Sequence, residues 1–333
     1  MEPHIAKKFK KEHLLQAANM FDIQEQTCQE LDGFENFIYE GQRNDKPVIL
    51  RLSHSSKKDR DQIGSELAFV NYLAQNGADA AQPLPARNGD LIREIALPDH
   101  TYFSAVCFQK APGHHPIETD YNTDLYLKWG AAMGKMHRLS RQYNPPVEQQ
   151  RIHWYEEIEI TRPGDFLPPS QEGVIEMMAE YTRKLHGLPV SRQNYGVVHN
   201  DLHPYNYLYD GQQITMIDFE DAVQMWYMAD LVSSLFMVSV WPPNEMNRED
   251  FTRSFWPFFL RGYREQNDIP ESWIEEIPLF LKFRELGQYV AMYRACDMQN
   301  LDPWVAHFLN GRQQRIEEDL LYIEIEDWQM ISG

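Results

Sequence analysis

In the segment VVHNDLHPYNYLYDGQQITMIDFED, which runs from Val197 to Asp221, the residues His199, Asn200, Asp201, His203 and Asn206 fall within eight positions. Asp218, Glu220 and Asp221 follow, the first of them twelve positions after Asn206. An amide oxygen and a carboxylate, completed by water and phosphate oxygens, form the shell that Mg2+ prefers. A further carboxylate nearby suits a general base that accepts a proton from a hydroxyl. Asn206, Asp218 and Asp201 are residues of those types. Between them, Asp210-Gly211 is a strong turn signal separating the runs YLY and ITMI. Folding one run on the other brings Asn206 and Asp218 to the same end of a hairpin. A loop centred on Gln212 sets them opposite each other; a tight two-residue turn offsets them by about three positions. Two other readings stand beside this one. Asn, Asp and His also cap turns and solvate loops. His199-x-Asp201-x-His203 would also place three ligand types on one face of an extended segment, as in a metal-dependent hydrolase. The hydrolase reading needs further ligands, and it accounts for neither Asn206 nor the pair described next.

Glu66 lies on an apolar helical stripe with Ile63, Leu67, Val70, Leu73 and Ala74. A carboxylate on such a face is costly unless paired. In the preceding run PVILRLS, strand alternation puts Val48, Leu50 and Leu52 on one face and Ile49 and Arg51 on the other. Arg51 and Glu66 satisfy each other if the helix packs on the sheet. The pair is either a structural ion pair or a holder for nucleotide α/β-phosphates, with Ile49 against the base. Upstream, Gly33 and Asn36 in LDGFENFIYEG lie between two strand-like runs, where backbone amides could cover phosphates. No G-x-x-x-x-G-K-[ST] sequence occurs, which excludes the usual P-loop.

The elements that must position these residues change character along the chain. The first third reads as strands: a hairpin around QRNDKP, then GDLIREIA and TYFSAVCFQK, with one helix between that ends near Gly77. A Pro/Gly/polar break, APGHHPIETD, places a boundary near Gly113. Beyond it the pattern is helical, including most of the chain from Met225 onward, apart from the hairpin insert. The stretch MWYMADLVSSLFMVSVW holds Asp230 and three serines and is too short for an ordinary membrane span; it reads as a buried helix. The aromatics of the last third, from Trp226 to Tyr293, read as core at helical spacing rather than as a cage for an ammonium group. The 31 basic and 50 acidic residues leave a charge of −19, which repels nucleic acid and anionic lipid. Three widely spaced cysteines without a CxxC pair and a basic N-terminus with no apolar run behind it point to a reducing cytoplasm and no signal peptide.

With these residues in place, the chain resembles the aminoglycoside phosphotransferase/choline kinase-like family. HNDLHPYN is similar to its H-x-D-x-x-x-x-N loop, IDFED to its metal-binding strand end, ILRL…SELAFVNYL to its basic strand residue and helix glutamate, and VCFQKAPG to its hinge. The resemblance implies an α+β, two-lobed protein-kinase-like fold. Its parts would be a small β-rich nucleotide-binding lobe (1–109), a hinge (107–113) and a large, mainly helical lobe (114–333). It implies an ATP-dependent transfer of the γ-phosphoryl group to a hydroxyl of a small molecule. Asp201 would be the base, Asn206 and Asp218 would hold Mg2+, and Arg51 with Glu66 would position phosphates. Phe108 and Gln109 would meet the purine through backbone groups, and His199 and Asp230 would brace the loop. Arginine at position 51, where protein kinases carry lysine, and Glu220 in place of the glycine of D-F-G both point to the small-molecule branch. A silent nucleotide-binding pseudokinase and a Ser/Thr protein kinase are the alternatives. The acceptor stays open among antibiotics, choline, homoserine and thioribose.

Overall fold

Two consecutive residues with positive φ, Asn44 (50°) and Asp45 (58°), close the first hairpin. Such mirror-image turns match the twist of the flanking strands, and Asn and Asp tolerate the left-handed backbone they need. The hairpin joins β2 (Phe37–Arg43) to β3 (Lys46–His54), with Arg43 opposite Lys46. The computed structural model describes residues 3–31, 33 and 36–333. Its chain divides into two units. The first takes Met1–Gly113, Tyr143–Arg151 and Thr215–Glu220; the second takes His114–Gln142, Ile152–Ile214 and Asp221–Gly333. The first unit is therefore more than the contiguous lobe 1–109. The extra segments belong to it because Tyr143 packs on Phe69 and Tyr72, and because Met216 exchanges backbone hydrogen bonds with Asp79 and Ala81.

In the first unit, β1 (Gln29–Leu31), β2, β3, β6 (Tyr102–Gln109) and β4 (Pro83–Leu84) form an antiparallel sheet in that order, with β5 (Ile92–Ala96) also paired to β6. On one face Val48, Leu50 and Leu52 join Phe103, Ala105, Cys107 and residues of α2 (Lys11–Met20), which follows the short α1 (Pro3–Ala6), in one core cluster. The other face carries Ile49 and Arg51, as strand alternation requires. Here α3 (Arg60–Gln75) adds Ile63 and Leu67 to Val106 and Ile92. Asp59 caps α3 by accepting from the Gln62 N–H at 2.8 Å, and Gln62 accepts in return from the Asp59 N–H at 2.9 Å. The helix ends before Gly77, whose φ is +82°.

The second unit is built on helices: α4 (Thr123–Ser140), α5 (Ile158–Thr161), α6 (Glu172–His186), α7 (Tyr227–Val240), α8 (Arg248–Arg264) and α9 (Ile277–Ala295), followed by α10 (Pro303–Leu309), α11 (Arg312–Glu317) and α12 (Trp328–Ser332). Helices α4 and α8 approach closely. A Cβ at Gly130 would lie 1.8 Å from the Phe259 carbonyl oxygen, and one at Gly262 would lie 2.0 Å from that of Leu127. Among the aromatics of the last third, Phe255, Trp256, Phe259, Tyr263 and Tyr289 are core, whereas Trp241 is 52% exposed. Met225 and Trp226 are not helical. They belong to β10 (Val223–Trp226), which pairs with β7 (Tyr195–Val198) and uses their backbone groups in a ladder. Helix α7 is buried along almost its whole length, as the apolar stretch implied. Among the described residues no helix is long and apolar enough to cross a membrane. Cys107 is buried, Cys28 and Cys296 are half-buried, and none of the three is in a disulfide.

Candidate active site

The loop between β7 and β8 (Tyr207–Tyr209) is held from beneath by α7. Asp230 accepts the N–H of His199 at 3.0 Å and of Asn200 at 2.8 Å. Ser233 Oγ donates to the Asn200 carbonyl at 2.7 Å, and Ser234 Oγ to the Leu202 carbonyl at 2.6 Å. Three polar side chains on a buried helix would be costly alone; each is satisfied by backbone of the loop. Asp230 also accepts from His137 Nε2 at 2.9 Å, and the Tyr263 hydroxyl meets His137 Nδ1 at 3.0 Å. Burial holds the His137 pKa down against the pull of Asp230, so the ring is neutral, with its proton on Nε2.

The clamp displays Asp201 with a fully engaged carboxylate. Arg284 Nη2, from α9, donates to Oδ1 at 2.6 Å. On Oδ2, His203 Nε2 lies at 3.2 Å and Asn206 Nδ2 donates at 3.2 Å. His203 Nδ1 accepts the Tyr205 N–H at 3.2 Å, which puts the imidazole proton on Nε2, facing Asp201. Burial raises the Asp201 pKa, but His203, Arg284 and His199 outweigh it and hold it at about 2. Asn206 Nδ2 also donates to the Asp201 carbonyl at 2.8 Å. With its nitrogen committed, the Asn206 side chain offers a cation its oxygen. The turn after β8 is closed by Asp210, whose carboxylate accepts the N–H of Gln212 and Gln213 at 2.8 Å, with Gly211 at φ +89°.

In the first unit, Arg51 and Glu66 form a two-point ion pair, Nη1 to Oε1 at 2.8 Å and Nη2 to Oε2 at 2.7 Å. Both are buried, at 4% and 2% exposure. Burial alone would lower the Arg51 pKa; Glu66, Glu220 and Asp218 together raise it. Asp218 follows β9 (Ile214–Met216). Its Oδ1 lies 3.8 Å from Arg51 Nη1, and its side chain is 43% exposed. Its φ of 60° is rare outside glycine and marks a backbone held by its surroundings. One such hold is Arg151, buried at 6% exposure. It donates to the Gln62 carbonyl at 2.9 Å, to Ser65 Oγ at 3.2 Å and to the Glu220 carbonyl at 2.7 Å. Glu220 Oε2 also accepts from Asn36 Nδ2 at 3.0 Å, while Ser53 Oγ donates to Asn36 Oδ1 at 2.6 Å.

Asn36 thus links Ser53 of β3 to Glu220. Asp32, Phe34 and Glu35 of the segment that precedes it lie outside the described residues. Ile49 and Phe108 face each other across β3 and β6, both half-buried, and the Arg51 guanidinium sits 5.4 Å from the Phe108 ring centre. The Gln109 side chain is exposed, but its N–H donates to the Gln82 carbonyl at 2.9 Å. Arg284, Arg151, Ser233 and Ser234 were not legible as site residues, because no local motif marks them. The hydrolase alternative does not assemble: among the described residues no group of three or more His, Cys, Asp or Glu is placed to hold a metal, and His199 is fully buried.

The chain as a whole has relatives. Residues 27–272 match the model of a family described as the phosphotransferase enzyme family (APH). The chain belongs to this family. The phosphotransferase is 30% identical over 319 residues to amicoumacin kinase of Bacillus subtilis (strain 168), covering 94% of each chain. Its structure matches that of amicoumacin kinase hAmiN in complex with AMP-PNP, Ca2+ and Ami with a TM-score of 0.93 at 28% identity, covering 99% of this chain and 100% of that one. A microcompartment-associated aminopropanol kinase shares the fold, with a TM-score of 0.73 at 21% identity over 95% of this chain and 100% of its own. The phosphotransferase has the α+β, protein-kinase-like fold that the motifs implied, with a β-rich first unit and a mainly helical second.

Proposed function

We propose that this phosphotransferase moves the γ-phosphoryl group of ATP to a hydroxyl of a small molecule, with Asp201 as the base. The observation that carries the reading is the Asp201 carboxylate, ionised and fixed by Arg284, His203 and Asn206 on a loop clamped by Asp230. A group with a pKa near 2 is a weak base at equilibrium. It works by orienting the acceptor hydroxyl and receiving its proton late. That suits phosphoryl transfer, whose loose transition state needs positioning more than early deprotonation. Asn206 and Asp218 fit a hard cation: one presents an amide oxygen, the other a half-exposed carboxylate. They would hold Mg2+, which would supply charge neutralisation for the phosphates. Arg51, aimed by Glu66, supplies a fixed cation to the phosphates, and Ile49 and Phe108 supply apolar surface beside Gln109 for the purine. The bond from Asn36 to Glu220 ties the start of β2 to the segment that bears Asp218.

Amicoumacin is the first acceptor to test, since a relative of matching length carries that name, and amino alcohols are the second. An ADP-release screen over amicoumacin, amino alcohols, aminoglycosides, sugars and nucleosides tests the reading. Asp201→Asn is expected to retain thermal stabilisation by Mg·AMP-PNP and to lower turnover by about 10²–10⁴-fold. Unchanged turnover would remove Asp201 from the role of base.

A further inference from the structure

Helix α9 is buried on most of its circumference. Phe280, Leu281, Phe283, Leu286, Tyr289, Val290 and Met292 are all core residues. One stripe is different. Arg284, Gly287 and Ala291 are half-buried and Arg294 is exposed, at offsets of three, seven and ten, which is a single helical face. One turn before Arg284 the same face carries Phe280, which is 1% exposed. The face is therefore covered at its start and opens where Arg284 reaches the base. Along it, side chains shrink to nothing: a Cβ added at Gly287 would meet no atom within 4 Å. At the far end Arg294 is paired with Glu159 of α5 at 2.9 Å.

We infer that this open face of α9 is the floor on which the acceptor lies, with its reacting hydroxyl at Asp201 beside Arg284 and its body over Gly287 and Ala291. The inference rests on the phosphotransfer reading with Asp201 as base. Its geometry sets the chemistry of the occupant. The stripe from Arg284 to Arg294 spans ten residues, about 15 Å of helix, so it suits an elongated acceptor. Gly287 and Ala291 offer only backbone and one methyl, so a flat or extended body can lie against the helix. Among the described residues Arg284 makes one hydrogen bond, to Asp201. A guanidinium has five N–H groups, so Arg284 can also donate to an oxygen next to the reacting hydroxyl. The acceptor is therefore a long hydroxylated molecule with a hydrogen-bond-accepting oxygen beside the reacting hydroxyl.

Gly287→Leu tests this with amicoumacin as the elongated probe. Leucine restores helix propensity and enters open space, and Gly287→Ala serves as the folding control. For Gly287→Leu the KM for amicoumacin is expected to rise by about tenfold or more. The thermal shift produced by amicoumacin should disappear and that produced by Mg·AMP-PNP should remain. Ala291→Leu should act in the same direction, and Arg284→Lys should retain more kcat than Arg284→Gln. An unchanged amicoumacin KM in both leucine variants overturns the floor. So does a wild-type protein that is stabilised by Mg·AMP-PNP but neither binds nor phosphorylates amicoumacin while turning over short amino alcohols. Loss of the Mg·AMP-PNP shift in the wild type would instead sink the phosphotransfer reading itself.

Discussion

At the scale of single residues, Asp201 and Asp218 show two ways of preparing a carboxylate. Asp201 is surrounded by donors from a helix, an imidazole and an amide, so its rotamer is set before any ligand arrives. Asp218 is more open, and what is set there is its backbone, at φ 60°. The difference matches the roles proposed for them, since a base must be aimed and a metal ligand must be reachable. Replacing Asp218 with Ala should abolish the part of nucleotide stabilisation that depends on Mg2+, leaving a melt with AMP-PNP and Mg2+ no higher than one with AMP-PNP and EDTA. A surviving Mg2+ increment would place the metal elsewhere. Arg51 and Glu66 were readable from sequence, because strand alternation and the helical stripe are both local patterns. Arg284 was not readable, since its partner lies 83 positions away.

At the scale of elements, the first unit is organised by two arginines that join α3 to the strand end. Arg51 does so through carboxylates, touching Glu66 and lying 3.8 Å from Asp218. Arg151 does so through backbone, bonding Gln62 and Glu220. Arg151→Met keeps the apolar stem and removes the donors. It should remove three hydrogen bonds, to Ser65 Oγ and to the Gln62 and Glu220 carbonyls, which keep Ser65 Oγ and Lys58 Nζ as their other donors, at a cost of about 1–3 kcal/mol, and weaken the Mg·AMP-PNP thermal shift relative to the wild type. An undiminished shift would mean that the strand end holds its position without Arg151. This link also marks where sequence reading stopped. The hairpin at Asn44-Asp45, the face assignments of β3 and the end of α3 at Gly77 all follow from rules spanning a few residues. The tie between Asn36 and Glu220 spans 184 positions and exists only once the fold brings them together.

At the scale of the whole molecule, a neutral imidazole at the junction of α4, α7 and α8 links stability to acidity. His137 is fully buried, with Asp230, Tyr263, Tyr227 and Arg141 around it, and its pKa is lowered chiefly by burial. An unfolded histidine titrates near 6.5. As pH falls through that value the unfolded chain takes up a proton that the folded one refuses, so stability is lost on the acid side, by at most about 1.4 kcal/mol per pH unit. The urea midpoint should fall between pH 7.5 and pH 5.5, and His137→Gln should flatten part of that slope. Equal slopes would assign the acid sensitivity to other groups.

The path of the chain has a consequence for anyone who wishes to cut it. The polypeptide passes between the two units five times, at 113/114, 142/143, 151/152, 214/215 and 220/221. A fragment ending at residue 113 would carry the whole six-stranded sheet and α3, yet lack Tyr143, Arg151 and Phe219, the partners of Phe69, Ser65 and Gln62. Expressed alone it should be aggregation-prone and poorly protected from hydrogen exchange along α3. Supplying residues 114–333 in trans should restore protection, because the missing pieces are on the other half. The first unit of this phosphotransferase is thus not a transplantable cassette: two of its three segments are encoded inside its neighbour.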